Sequence, residues 1–213
     1  MKRIVIKIGS QIILDDEDEK GSNYLNNILK EIVYLKTKGY LFTIVSSGAV
    51  ALARKHVSIN KNQELTTSSK QALSSIGQVY LMNKYKLFFN SSKVECAQIL
   101  AGRENFNSRL AYLNIRSALE ELYSYDVIPI INENDVVSTM EIEGKFYGDN
   151  DRLAAIVSNA IDADLLILFG KTKGLYTSDP NKYKDSKIIK EVKRIDDEII
   201  SYASNSDDNV GSG

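Results

Sequence analysis

The chain has 213 residues, 27 basic against 28 acidic side chains for a formal net charge of −1, and 43% hydrophobic residues. That is enough apolar material for a substantial core, and a near-neutral balance without a basic block argues against a nucleic-acid binder. A single cysteine, Cys96, excludes an intramolecular disulfide, and a single histidine, His56, excludes a histidine metal cluster and leaves little room for a Ser-His-Asp triad.

At the amino terminus Lys2 and Arg3 precede an apolar run, as in a secretion signal. Lys7 breaks that run and Asp15, Asp16, Glu17 and Asp18 follow, so no signal is expected. No stretch approaches the length of a membrane span, and the expected compartment is the cytoplasm. Without a linker, repeat or composition break, one domain is expected over residues 1–213.

Arg3–Ile8 reads as a buried strand ending in Lys7-Ile8-Gly9-Ser10. A lysine there is either a strand-end charge reaching solvent or a cation aimed at a site; phosphate chemistry uses the second. Gly9 would let a phosphate approach the backbone. Residues 22–38 place Leu25, Ile28, Leu29, Ile32 and Leu35 at helical spacing, with Gly39 as the stop. Residues 41–45 are a second strand, running through Ser46-Ser47-Gly48-Ala49 into a helix that continues to about His56. Such a turn is either a plain strand-to-helix connection or an anion site on the helix N-terminus.

Residues 66–89 predict a long helix with Leu73, Ile76, Gly77, Tyr80 and Leu81 on its packed face. A third strand is expected at 94–100, with Cys96 in the core, then a helix at 105–121 and a strand at 127–131. That strand ends in Asn132-Glu133-Asn134-Asp135, polar residues delivered to the carboxyl edge of a sheet, where α/β proteins hold ligands. Residues 140–147 suit a hairpin or flap. Gly148-Asp149-Asn150-Asp151 then precedes a helix at 152–163. This second cluster is either a helix cap alone or half of one polar site shared with the first. Leu165–Phe169 is a further strand, so strands and helices alternate and an α/β fold with a mainly parallel sheet is expected.

Gly170-Lys171-Thr172 invites a P-loop reading, but Leu165 stands where the first glycine should be, and a turn, not a helix, follows. No Gly-x-Gly-x-x-Gly follows a strand either.

Taken together, Lys7-Ile8-Gly9-Ser10, Val45-Ser46-Ser47-Gly48-Ala49, Lys70-Gln71-Ala72-Leu73, Ile76-Gly77-Gln78, Leu113-Asn114-Ile115-Arg116, the run from Pro129 to Asp135, Gly148-Asp149-Asn150-Asp151, and Gly174-Leu175-Tyr176-Thr177-Ser178-Asp179-Pro180 resemble the glutamate 5-kinases of the amino-acid kinase superfamily. The resemblance is co-linear over essentially the whole chain. It implies a three-layer αβα sandwich and transfer of the γ-phosphoryl of MgATP to the side-chain carboxylate of L-glutamate, the first step of proline synthesis. It further implies that Lys7 neutralises the transferring phosphoryl group and that Asp151 organises Lys7. Ser47, Asp135 and Asn150 would hold glutamate, with Asp149 bordering the pocket, and no protein-bound metal beyond the magnesium carried by ATP. Relatives of this kind are homodimers or homotetramers.

Two departures stand out. Gly170 and Lys171 occupy the nucleotide-pocket positions where the family usually has Thr-Asp. The chain ends at Val210-Gly211-Ser212-Gly213, where relatives begin a glycine-rich ATP-binding segment with a second catalytic lysine. The expected domain is therefore incomplete at its C-terminus and carries no RNA-modification-type domain. The alternatives are a kinase of the superfamily acting on another small acid, or a non-catalytic regulatory protein that binds glutamate or proline.

Overall fold

A computed structural model describes residues 1–15, 23–59, 65–137, 150–170 and 172–204. By contacts these fall into two units, Met1–Phe169 and Gly170–Gly213.

In the first unit, β1 (Arg3–Ile8), β2 (Leu41–Ser46), β3 (Cys96–Leu100), β4 (Ile128–Asn132) and β5 (Leu165–Phe169) form one sheet in the order β3-β4-β2-β1-β5. Every neighbouring pair is parallel. Parallel strands need crossovers, and helices supply them: α1 (Ser10–Asp15), α2 (Tyr24–Lys36), α3 (Ala49–His56), α4 (Thr67–Ser91), α5 (Arg103–Asn107), α6 (Arg109–Ser124) and α7 (Asn150–Ala160).

Side chains alternate between the two faces of a strand. Ile4, Ile6 and Ile8 of β1 face one way and pack with Leu29 and Ile32 of α2 and Leu81, Tyr85 and Phe89 of α4. Val5, Val45 and Ile131 face the other way, against Leu119 of α6 and Leu153 and Val157 of α7. Each large side chain removed from water contributes roughly 2 kcal/mol, so both faces are core and the unit is an αβα sandwich. The same alternation decides where Lys7 goes. It shares the face of Val5 and therefore points to the side that carries α7.

The helices differ from expectation in three places. The helix expected at 105–121 is two, α5 and α6, because Ser108 ends one and caps the next, its Oγ accepting from Ala111 N at 3.4 Å. The short α1 was not expected; the Gly9 carbonyl accepts from the Ile12 and Ile13 amides, and the buried Ile13 anchors the turn. In α4 the packed face is Leu73, Ser74, Gly77, Gln78, Leu81, Tyr85 and Phe89, while Ile76 and Tyr80 are exposed. The expected flap at 140–147 lies outside the described residues.

In the second unit β6 (Leu175–Tyr176) and β7 (Ile188–Ile189) pair antiparallel, and α8 (Asp197–Ser204) follows. The connection is turned by Asp179, whose Oδ1 accepts from Asn181 N at 2.9 Å.

Candidate active site

The carboxyl ends of β1, β2 and β4 lie side by side and carry the polar residues. Lys7 is 5% exposed, and an ammonium so buried needs an anion. Asp151 supplies it, with Oδ1 at 2.6 Å from Lys7 Nζ. Asp151 stands in the first turn of α7, where a carboxylate also suits the helix dipole. Lys7 is therefore not a strand-end charge reaching solvent, and Asn150 and Asp151 make contacts beyond the start of α7.

Two turns meet beside this pair. Gly9 N donates to Phe169 O at 3.1 Å, so this amide is committed to the sheet and Gly9 offers a phosphate the absence of a side chain, not a donor. Ser47 N and Ser47 Oγ both donate to Ile8 O, at 3.2 Å and 3.3 Å, which ties the β2 turn to the end of β1. Gly48 caps α3 with φ 99, and a Cβ there would meet Ser10 Cα at 3.2 Å. No side chain caps α3. Its first amides, beside Ser47, are left without a side-chain cap, the arrangement that an anion site would need. Behind the turn, Ser46 Oγ is 2.9 Å from the Tyr85 hydroxyl. Burial pushes the Tyr85 phenol well above the usual tyrosine range, against the opposing pull of the Ser46 hydrogen bond.

The third wall is built by β4 and α4. Ser74 Oγ donates to Asp135 Oδ2 at 2.6 Å, and Gln71 Nε2 donates to Val136 O at 3.1 Å, so α4 holds the loop after β4. Asn132 Nδ2 donates to Gln78 Oε1 at 2.8 Å, and Asn150 Nδ2 donates to Asn132 Oδ1 at 3.3 Å. Gln78 Nε2 and Asn150 Oδ1 are buried without a hydrogen-bond partner among the described residues. A carboxylate, an unpaired buried acceptor and an unpaired buried donor are groups that an amino acid's ammonium and carboxylate would suit.

Lys7, Gly9, Ser47, Asp135, Asn150 and Asp151 are thus all in the first unit, at or beside these strand ends. Asp149, Lys171, Gly211 and Gly213 lie outside the described residues, and Gly170 opens the second unit. Ser74 and Gln78 were missed from sequence. The signal was their spacing: they lie on one line with Leu81 and Tyr85 along α4.

The first unit is thus a parallel αβα sandwich whose strand ends carry a lysine–aspartate pair, with the lysine buried. The chain matches the model of the amino acid kinase family over residues 2–211, and it belongs to that family. It is 40% identical over 212 residues to a protein of Pelagibacter ubique (strain HTCC1062) named Glutamate 5-kinase, covering 100% of this chain and 56% of that protein. A Glutamate 5-kinase of Alkaliphilus metalliredigens (strain QYMF) is 42% identical over 196 residues, which is 92% of this chain and 73% of that one. The chain therefore spans about half the length of most of these curated relatives. Among solved structures, isopentenyl phosphate kinase superposes with a TM-score of 0.57 at 18% identity, over 88% of this chain and 79% of its own; that likeness shows the fold.

Proposed function

We propose that the protein transfers the γ-phosphoryl group of MgATP to the side-chain carboxylate of L-glutamate, giving L-glutamyl 5-phosphate and ADP, and so opens proline biosynthesis in the cytoplasm. The observation that carries this is the pairing of buried Lys7 with Asp151 at strand ends whose other polar groups suit an amino acid. The curated relatives named Glutamate 5-kinase support the choice of acceptor.

A carboxylate is already ionised at neutral pH, so its attack on phosphorus needs no general base. One carboxylate oxygen forms the new bond to the γ-phosphorus as the bond to the ADP oxygen breaks, and ADP leaves with that electron pair. The demand on the protein is positioning and neutralisation of charge. Lys7 supplies a fixed cation for the transferring group, and Asp151 keeps it aimed. Asp135, held by Ser74, suits the α-ammonium. Ser47 with the first amides of α3 suits a carboxylate, and the open carbonyl of Asn150 suits a further N–H. The magnesium ion would arrive bound to the ATP phosphates as part of the donor. Among the described residues no helix is long and apolar enough to cross a membrane.

The test is release of ADP from MgATP with L-glutamate present and absent, with hydroxylamine to trap the acyl phosphate. Release that needs L-glutamate and yields the hydroxamate supports the reading. Release that L-aspartate or N-acetylglutamate promotes better than L-glutamate would replace the acceptor.

A further inference from the structure

We propose that Gln78 is a positioning residue that fixes, through Asn132, which atom of the Asn150 amide faces the acceptor pocket. The inference rests on the glutamate reading for its ligand. Three amides from three elements stand in a row: Gln78 on α4, Asn132 at the end of β4, and Asn150 opening α7. They are 8%, 3% and 7% exposed, so water is a poor substitute for any bond among them.

The row has a direction. Asn150 donates to Asn132, Asn132 donates to Gln78, and among the described residues the two ends are left as an unpartnered acceptor, Asn150 Oδ1, and an unpartnered donor, Gln78 Nε2. If the Asn132 amide alone turned over, its nitrogen would face the Asn150 nitrogen and its oxygen the Gln78 oxygen. Both bonds would be lost at once. Only two arrangements are self-consistent, the one observed and its complete reversal, so the three side chains turn together or not at all. In the observed arrangement Asn150 offers an acceptor, which suits the ammonium of an amino acid. In the reversed one it offers a donor and repels that ammonium.

Gln78 anchors the far end of the row. Its neighbour one turn earlier, Ser74, is occupied with Asp135. The next residue after Asn150, Asp151, is held by Lys7. With the α7 backbone pinned there, the side-chain amide of Asn150 is the part left to be set, and Asn132 sets it only while Gln78 Oε1 is there to receive the Asn132 nitrogen.

The experiment compares the wild-type chain with Gln78→Met, which keeps length and apolar volume and deletes both amide atoms. A second variant, Gln78→Glu, keeps an oxygen to receive Asn132 Nδ2. Side-chain amide resonances of ¹⁵N-labelled protein are recorded without ligand, and L-glutamate is then titrated by calorimetry. Gln78→Met is expected to shift the Asn132 and Asn150 side-chain resonances and speed their hydrogen exchange. It is expected to weaken L-glutamate by about tenfold, the scale of one well-placed hydrogen bond, with little change in melting temperature. In an Asn132→Ala background the same substitution should change affinity by less than about twofold, because the row is already cut. Gln78→Glu should leave the Asn150 resonances near their wild-type positions. Asn150 resonances that ignore Gln78→Met would overturn the proposal. So would unchanged glutamate affinity in that variant, or an equal loss with and without Asn132. If the wild-type chain fails to bind L-glutamate, the functional reading falls, and the resonances alone still decide whether Gln78 orients Asn150.

Discussion

Lys7 and Asp151 are unequal partners, and that inequality is measurable. Lys7 is buried, whereas the side chain of Asp151 is 37% exposed. Removing the lysine leaves a carboxylate that water can reach; removing the aspartate strands a buried ammonium. Asp151→Ala should cost roughly 3 kcal/mol, the low end for a broken buried pair because its anion is partly hydrated. Lys7→Met should cost less than about 1 kcal/mol, as for an exposed ion pair, while abolishing phosphoryl transfer. Urea unfolding of both variants gives the order, and a Lys7→Met protein with near-normal turnover would remove Lys7 from the chemistry. A second residue-scale effect concerns Tyr85. Its phenol is held above its value in the unfolded chain, chiefly by burial. Below about pH 10 both states keep the proton. Above that, the unfolded chain releases it first, so stability should fall by up to about 1.4 kcal/mol per pH unit for each such phenol. Tyr123, raised by burial in the same sense, adds to the slope. Unfolding measured from about pH 8 to about pH 11 should show this fall, shallower in Tyr85→Phe; identical slopes would mean that Tyr85 titrates normally. At this scale Lys7, Asp135, Asn150 and Asp151 stand out in the sequence as polar residues at the ends of apolar runs, while their spacing alone leaves a strand-end charge or a helix cap equally open. Gln78 and Ser74 stay hidden because they lie inside a helix beside apolar residues, and Ile76 and Tyr80 are an equally plausible packed face until tertiary contacts choose.

Among the elements, α4 braces the candidate site. Its Ser74 holds Asp135, its Gln78 holds Asn132, and its Gly77 lets α3 come close. A Cβ on Gly77 would lie 1.7 Å from the Ala49 carbonyl oxygen, at the start of α3. In an exposed helix interior, Gly→Ala gains about 1 kcal/mol. Here the sign should reverse. Gly77→Ala should destabilise by about 2 kcal/mol through overpacking and weaken L-glutamate by displacing the α3 N-terminus. A melting temperature at or above wild type would show that the two helices separate freely. The five strands of the large sheet are legible as apolar runs bounded by turn residues, although only β1, β2 and β4 are buried nearly throughout and the edge strands β3 and β5 are partly exposed. The split at Ser108 and the short α1 are not legible, because a one-residue break and a single turn leave almost no periodic signal.

For the whole molecule, the alternation of strands and helices predicts the parallel αβα class but not the strand order. What places β1 between β2 and β5 is long-range pairing, with Lys7 opposite Val45 on one side and Leu168 on the other. That position puts the lysine between the strand ends of β2 and β5. The residues proposed for the acceptor all lie in the first unit, among Met1–Phe169, whereas the loop expected for the nucleotide begins the second. On the proposed reading, acceptor recognition rests on the first unit's own strand ends and can be tested without the nucleotide. Calorimetric titration of the chain with L-glutamate, with L-aspartate and N-acetylglutamate as controls, tests this most directly. Selective, saturable binding of L-glutamate that Asp135→Ala weakens by at least about tenfold is the predicted result. A folded chain that ignores L-glutamate, or binds all three acids alike, would contradict it.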